Sequence, residues 1–350
     1  MAKDILKNSI WYTILGFLPL SFAFFFTPIY LKYLDKSEYG LLNLFLVYSG
    51  IITQIYSMGV STAFGFFYWD VYKERVALKE LISSTLGLLL VFQFIYILIG
   101  LLFGKSILGF ITNSSNEFTY NPFFISTLLY SAFMVFYDVF LYYFRNEGKL
   151  KEYSALSIST LFLLTIGTLV GIVFLDLKAI GAIWGRTFGY GIVVTAFFVL
   201  MVKRFGISFN FKKSKTLLLF SLPLFVNGLV GAVSHNTDRL LIEQLDSLSN
   251  LGLYGFALVF ITVIEIWFNA LNNSFSPYLY MFMNESPDEK HKEIKGIAHL
   301  IIISVLILIC IMIALSLPVM KLIIPENFYE AGVFIPILGG AFIWRVFTNI

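Results

Sequence analysis

The residues with the clearest chemical potential form a polar stripe inside one apolar stretch. They recur at intervals of three and four positions: Thr262, Glu265, Asn269, Asn272 and Ser276. This spacing places all five on one face of an α-helix. Lipid cannot satisfy amides and a carboxylate, so the stripe either packs against a polar helix or lines a water-filled cavity. We interpret Asn269 and Asn272 as candidate ligand contacts and Glu265 as a candidate cation site.

Two other charged residues fall inside apolar stretches. Asp138 lies about two helical turns from the end of its stretch, where a carboxylate requires a partner, water or a proton. It is therefore a second candidate cation site, with contact to interfacial water as the alternative. Arg186 lies beside Gly181, Gly185 and Gly189, whose spacing of four predicts close helix packing. Arg186 is either a ligand contact or one half of a structural ion pair.

The composition requires a membrane around these residues. The chain is 59% hydrophobic and 13% charged, and a membrane-spanning helix takes about 20 apolar residues. The apolar runs are continuous rather than alternating, which argues against an outer-membrane barrel and predicts an all-α, polytopic helical bundle. Ten candidate spans are predicted, at residues 8–31, 39–69, 81–104, 118–144, 153–175, 179–202, 216–237, 247–264 extending to 284, 296–320 and 331–350.

The basic residues predict the orientation of these spans. With a cytoplasmic N-terminus, sixteen of the 24 Lys and Arg residues lie on the cytoplasmic side and six on the other side. An excess of this kind sets the topology of a membrane protein. The net charge of +3 then reflects loops that lie near anionic lipid headgroups, so we expect no nucleic-acid partner.

A weak internal repeat predicts two related lobes. Leu-Pro-Leu at 18–20 returns at 222–224, and Tyr-Gly at 39–40 returns at 254–255. Repeats with interrupted spans at corresponding positions are typical of secondary transporters. We expect a six-span membrane lobe over residues 1–215 and a second lobe over 216–350. Because only four spans fall in the second lobe, we expect that lobe to be incomplete.

Several short motifs occur in an order and spacing that resemble a known family. They are F-x-x-T-P-I-Y-L-K-Y-L-D-K-S-E-Y-G-L at 24–41, F-S-L-P-L-F at 220–225, D-R-L-L-I at 238–242 and L-G-L-Y-G at 251–255. With the short basic loop after the fourth span, they resemble oligosaccharide flippases. These are the polysaccharide-transport branch of the multidrug/oligosaccharidyl-lipid/polysaccharide exporter superfamily. The resemblance implies two six-span bundles around a central cavity that opens alternately to either side.

The resemblance also implies a substrate and partners. The substrate would be an undecaprenyl-pyrophosphate-linked oligosaccharide, moved from the cytoplasmic to the periplasmic leaflet for O-antigen, capsule or exopolysaccharide synthesis. The implied location is a bacterial or archaeal inner membrane, with membrane lipids, a polysaccharide polymerase and other assembly proteins as partners. The related lipid-linked peptidoglycan-precursor flippases place arginines in their first two spans, whereas the first arginine here is Arg75. We therefore expect contact with the pyrophosphate from Arg186, Arg239, lysines at the span ends or residues beyond position 350.

Two other classes of function are weighed against this expectation. A cation-coupled multidrug exporter of the same superfamily would use Asp138 or Glu265 as its cation site. A membrane glycosyltransferase or polymerase needs a sizeable external loop with carboxylates or arginines, and the longest external loop, about 105–121, holds only Lys105 and Glu117. We therefore expect a protein that is not an enzyme, with no catalytic residue, cofactor or metal. Cys310 is the only cysteine, so no intrachain disulfide can form.

Overall fold

The chain folds into long helices in the computed structural model, which describes residues 2–112, 117–285 and 287–349. Within those residues there is no β-strand. The α-helices are α1 (Ala2–Tyr30), α2 (Lys36–Ser57), α3 (Val60–Val71), α4 (Arg75–Ile111), α5 (Ile125–Asn146), α6 (Leu150–Leu169), α7 (Lys178–Phe205), α8 (Phe211–Leu245), α9 (Leu248–Glu285), α10 (Pro287–Ile323) and α11 (Phe334–Asn349). Short π-helical turns precede α5 and follow α6, and a 3₁₀ segment precedes α11.

The helices have the length and composition of a multi-pass membrane protein. Among the described residues, eight of them are long and apolar enough to cross a bilayer: α2 and α4 to α10. The first and last of the ten predicted spans coincide with α1 and α11. The predicted all-α, polytopic class is therefore confirmed.

The second predicted span is not one helix, which corrects the interpretation of residues 39–69. The chain leaves the helical conformation at Met58 (φ 47°) and Gly59 (φ 72°), so α2 and α3 are separate helices. A Cβ atom on Gly59 would lie 2.6 Å from the carbonyl oxygen of Ser221 in α8. Glycine therefore allows both the left-handed turn and the close approach of α8. The prediction failed because a break of this kind leaves the apolar run uninterrupted.

Close packing at the predicted glycine strip of α7 is confirmed, and its partners are α6 and the π-helical turn that follows it, Val170–Phe174. A Cβ atom on Gly181 would lie 2.2 Å from the carbonyl oxygen of Gly171, and one on Gly185 would lie 2.0 Å from that of Gly167. The two backbones thus touch along paired glycines, as small residues permit between membrane helices. This contact sets the rotation of α7 about its axis, and thereby the direction of the helix face that carries Arg186.

The described chain divides into two compact units. Unit 1 comprises Met1–Gly16 and Ser37–Leu251, and unit 2 comprises Phe17–Lys36 and Gly252–Ile350. The interior of unit 2 is an apolar cluster of α9, α10 and α11, with Phe268 packed edge-to-face on Phe342. In unit 1 the buried side chains come mainly from α2, α4, α5 and α7. The repeat-based lobes remain a prediction; unit 1 includes α8, which the repeat assigns to the second lobe.

Candidate functional site

A polar cavity lies among α2, α3, α5 and α6 in unit 1. Its volume is about 260 Å³, and it combines hydroxyl, amide, carboxylate and guanidinium groups. The lining residues are Gln54, Ser57, Ser61, Thr62, Asp138, Leu141, Tyr142, Arg145 and Tyr153. A space of this size and polarity suits water or part of a polar ligand. We call it the polar cavity.

The break between α2 and α3 builds one wall of the polar cavity. Ser57 ends α2, and Ser61 follows in the first turn of α3. The Ser57 hydroxyl accepts a hydrogen bond of 3.2 Å from the backbone N–H of Gly59. The Ser61 hydroxyl is buried and has no hydrogen-bond partner among the described residues. Because a buried unpaired hydroxyl is destabilising, this group can form a favourable bond with a ligand that enters the cavity.

Helix α5 supplies both charged groups of the polar cavity. Asp138 and Arg145 are seven residues apart, which places them on one helical face about two turns from each other. The Arg145 guanidinium lies 4.9 Å from the centre of the Tyr142 ring, in a cation–π contact that orients it. The structure thus places the predicted cation site Asp138 on a polar cavity, while its role as a cation site stays a prediction.

A second cavity continues the polar one toward the end of α5. It has a volume of about 330 Å³ and shares Thr62, Tyr142 and Arg145 with the polar cavity. Phe66 and Trp69 of α3 add aromatic surface. Aromatic faces beside hydrogen-bonding groups are suited to sugar rings, which present an apolar face and a hydroxyl edge.

A row of tyrosines packs between α5, which carries Asp138, and α7, which carries Arg186. The ring of Tyr190 in α7 lies 5.3 Å from that of Tyr137 and 4.9 Å from that of Tyr130, both in α5. Arg186 is half-buried, as expected for an arginine that avoids lipid. Its role as a ligand contact stays a prediction.

Arg239 is held on its own helix. It is half-buried in α8, and its Nη1 donates a hydrogen bond of 2.9 Å to Oδ1 of Asn236, one turn earlier. Glu243, one turn later, is almost fully buried and accepts a hydrogen bond from the Thr112 hydroxyl at the end of α4. Asn236, Arg239 and Glu243 form a polar row along α8.

The polar stripe of α9 lies in unit 2 and is half-buried. Glu265, Asn269 and Asn272 are all partly exposed, whereas Ile264 and Phe268 beside them are buried against α10 and α11. The stripe therefore borders the core of unit 2 rather than entering it. The Thr262 hydroxyl donates to backbone carbonyls of its own helix. Ser276 lies outside the residues whose side chains the structure describes.

Sequence reasoning missed most of the polar cavity. Gln54, Ser57 and Ser61 recur at intervals of three and four, the same signal that identified the α9 stripe. We overlooked them because small hydroxyl residues hardly lower the hydropathy of an apolar run. The sequence predicts only a short basic loop after the fourth span, whereas Arg145 ends the face of α5 that carries Asp138.

Solved structures with the same fold are membrane transporters. An inward-facing multidrug resistance MATE family transporter of the MOP superfamily matches with a TM-score of 0.68 at 12% identity, over 98% of this chain and 82% of that one. A MATE protein in complex with MaD3S matches with a TM-score of 0.60 at 14% identity, over 99% and 80%. A variant of the MATE transporter VcmN of Vibrio cholerae matches with a TM-score of 0.51 at 16% identity, over 99% and 83%. The chain is thus a multi-pass helical protein with the MATE fold.

The family follows from the sequence match. Residues 5–283 match the family described as polysaccharide biosynthesis protein, and the chain belongs to that family. The resemblance expected from the short motifs is confirmed at this level. No curated protein matches the chain in sequence.

Proposed function

We propose that this protein is a transporter that moves an undecaprenyl-pyrophosphate-linked oligosaccharide from the cytoplasmic to the periplasmic leaflet by alternating access. The observation that carries the proposal is a polar cavity among membrane-spanning helices in a member of the polysaccharide biosynthesis family. The transported lipid would serve O-antigen, capsule or exopolysaccharide synthesis. A polymerase and other assembly proteins would receive it.

The polar cavity offers what a sugar needs inside a membrane. Sugar hydroxyls lose their hydrogen bonds to water on leaving the aqueous phase, and that loss is large unless protein groups replace them. Gln54, Ser61 and Thr62 present such groups, and Trp69 in the adjoining cavity presents an aromatic face. The hydrocarbon chain of the substrate can stay in the lipid, so the protein need not enclose it.

The pyrophosphate requires cations, and unit 1 provides them on three helices. Arginine binds phosphate oxygens through two parallel N–H bonds and stays charged at any physiological pH. We assign pyrophosphate contact to Arg186 and Arg239, and Arg145 joins them because it lies on the polar cavity. In unit 2, Asn269 and Asn272 are proposed to hydrogen-bond sugar hydroxyls.

A coupling cation would bind to Asp138 or Glu265, which are partly buried carboxylates in membrane-spanning helices. Asp138 lines the polar cavity, and Glu265 lies on the α9 stripe. A carboxylate in a membrane-spanning helix is neutralised most favourably by a cation or a proton. We assign this role first to Asp138, since its surroundings are the more polar.

The proposed orientation has the N-terminus and the loop between α5 and α6 in the cytoplasm of a bacterial or archaeal cell. Lys149 and Lys151, which lie in sequence between the cavity-lining Arg145 and Tyr153, follow the positive-inside rule in that orientation. The polar cavity then faces the leaflet in which the lipid-linked oligosaccharide is assembled.

Reconstitution tests the proposed function directly. The purified protein is placed in liposomes that contain a fluorescent undecaprenyl-pyrophosphate oligosaccharide in both leaflets, and a membrane-impermeant glycosidase is added outside. In liposomes without protein, the oligosaccharide of the inner leaflet stays protected from the glycosidase. With the protein present, we expect this oligosaccharide to become cleavable, at a rate that increases with the amount of protein. An Asp70→Asn protein, altered at an exposed position away from the cavity, serves as the matched positive control.

The second candidate is a cation-coupled multidrug exporter, which is favoured by the fold shared with MATE transporters. The same liposomes distinguish the two. The exporter would be supported, and the flippase overturned, by uptake of a lipophilic cationic dye under an imposed Na⁺ or proton gradient. This uptake would have to occur without movement of the lipid-linked oligosaccharide between the leaflets. Family membership and the transporter fold favour both over an enzyme.

A further inference from the structure

A third cavity of unit 1 is separate from the polar cavity and has a different chemistry. It lies among α2, α4, α5 and α8, has a volume of about 500 Å³ and shares no lining residue with the polar cavity. Its wall is mostly isoleucine, leucine and phenylalanine, with tyrosines near both ends. We call it the tyrosine pocket.

The tyrosine pocket is elongated along α2. Tyr48 and Tyr56 line it eight residues apart, a rise of about 12 Å along a helix. At one end the Tyr48 hydroxyl donates a hydrogen bond of 3.2 Å to the carbonyl oxygen of Ile111. At the other end the rings of Tyr56 and Tyr96 are parallel within 8°, with centres 5.1 Å apart. This stacked pair forms a flat aromatic wall.

The tyrosine pocket opens toward the lipid-facing side of α4. Ile99 and Ile107 line it and remain about 40% exposed, and Phe110 is 92% exposed. In a membrane-spanning helix such apolar exposure faces hydrocarbon. A compound dissolved in the membrane can therefore enter from the side, without passing through the polar cavity.

A buried polar group at the stacked end points to a ligand with an oxygen acceptor. The Tyr56 side chain lines the tyrosine pocket and is only 3% exposed, and its hydroxyl has no hydrogen-bond partner among the described residues. Leaving such a donor unpaired is destabilising, and a bound acceptor would relieve this.

The tyrosine pocket also excludes an ionic ligand. No Lys, Arg, Asp or Glu lines it among the described residues. A pyrophosphate headgroup would find no cation there, so the transported lipid is a poor occupant.

We propose that the tyrosine pocket binds an uncharged aromatic compound of the membrane phase that carries a carbonyl or ether oxygen. Its ring system packs on the isoleucine walls and against the Tyr56–Tyr96 pair, and its oxygen accepts the hydrogen bond that the Tyr56 hydroxyl otherwise lacks. The volume falls within the range of sites for drug-sized molecules, which are mostly apolar with a few polar groups that fix orientation. This site goes beyond the proposed transport function and does not depend on it.

Benzophenone is a suitable probe, because it is an uncharged aromatic ketone and cross-links to nearby C–H bonds under light. The full chain in lipid nanodiscs is illuminated with increasing benzophenone, and labelled peptides are identified by mass spectrometry. We expect labelling that saturates with benzophenone concentration and is concentrated on residues 51–56 of α2 and 96–100 of α4. Added xanthone, as a competitor for the same site, should decrease this labelling.

Three variants make the test specific. Tyr56→Phe removes only the hydroxyl, and we expect half-saturation at about three- to tenfold higher benzophenone, the worth of one neutral hydrogen bond. Ile99→Trp fills the opening and should reduce labelling at least tenfold. Leu102→Trp, on the same helix but outside the tyrosine pocket and 67% exposed, is the matched control and should label like the wild type.

Two outcomes would overturn the proposal. One is non-saturable labelling spread over all lipid-facing helices of the wild-type protein, which needs no variant to interpret. The other is saturable labelling of the same peptides by a phospholipid whose acyl chain carries a diazirine, with no decrease when xanthone is added. That result would make the tyrosine pocket a binding site for a lipid chain. A failed flippase assay leaves this test unchanged, since it measures binding alone.

Discussion

The polar groups of unit 1 and those of unit 2 are organised in different ways. In unit 1 they come from four helices and meet where α2 gives way to α3, around Gly59. In unit 2 they follow one another along α9, between Thr262 and Asn272, beside an apolar core. The first arrangement encloses a volume, whereas the second presents a surface. A ligand group can be surrounded in unit 1 and only touched in unit 2, so we place the stronger substrate and cation contacts in unit 1.

The packing between helices also differs between the two units. Glycine substitutions measure this difference, and their expected effect is the largest. In Gly171→Ala the new Cβ would meet the backbone of Gly181 at 2.0 Å, and backbone cannot move aside easily. We expect a loss of about 3 kcal/mol in the free energy of unfolding. In Gly339→Ala of unit 2 the new Cβ meets only side chains, those of Ile309 at 3.1 Å and Ile313 at 3.7 Å, so its effect should stay within about 1 kcal/mol.

Unfolding in detergent, followed by temperature or denaturant, measures both changes. Gly231→Ala is the control, because nothing lies within 4 Å of its Cβ position, and it should be neutral or stabilising by about 1 kcal/mol. Equal losses in Gly171→Ala and Gly339→Ala would contradict the difference in packing.

Neutralising the carboxylate of the polar cavity should have the largest effect on transport. Asp138→Asn keeps the shape of the side chain and removes its charge. We expect a transport rate about tenfold lower at equal protein level, the effect of roughly 1.4 kcal/mol on the barrier. The exposed Asp70→Asn should transport at the wild-type rate in the same liposome assay. Normal transport by Asp138→Asn would exclude it as the coupling site.

Substitutions of Arg186 test whether transport depends on the charge of this side chain or on its planar geometry. Arg186→Ala should lose most transport, while Arg186→Lys keeps the charge without the planar fork and should retain part of it. Arg204→Ala, at the exposed end of the same helix, is the matched control. If Arg186→Ala lowers the amount of folded protein but not the rate per molecule, the residue is half of a structural ion pair.

The smallest effect is expected in unit 2. Glu265→Gln converts one carboxylate of the stripe to an amide of the same shape, and the neighbouring amides of Asn269 and Asn272 remain. We expect a transport rate about two- to threefold lower, since a partly exposed contact contributes under 1 kcal/mol. Glu326→Gln, exposed in the segment before α11, is the control. A larger loss in Glu265→Gln than in Asp138→Asn would reverse the comparison of the two units.

The features predictable from the sequence were those that repeat along one helix. Continuous apolar runs predicted the helical membrane class, and glycines four apart predicted the contact made by Gly181 and Gly185. The stripe of α9 was visible for the same reason, because helical spacing needs no knowledge of neighbours.

The features that escaped prediction depend on the meeting of separate helices. Nothing in the local sequence shows that Asp138 and Tyr153 share a cavity with Ser57 and Ser61. The helix break was hidden because Met58 and Gly59 fit an apolar run as well as a turn. The pairing of α6 with α7 through Gly167 likewise cannot be read from the local sequence.

Protection of a single cysteine tests most directly whether the polar cavity of unit 1 binds the glycan. Thr62→Cys is made in a Cys310→Ala background, because Cys310 is exposed and would otherwise react. We predict that a membrane-impermeant maleimide labels position 62, and that saturating undecaprenyl-pyrophosphate oligosaccharide slows this labelling several-fold while undecaprenyl phosphate without sugar does not. Labelling that is unaffected by the oligosaccharide, in protein that still binds it, would contradict the assignment of the polar cavity as the sugar site.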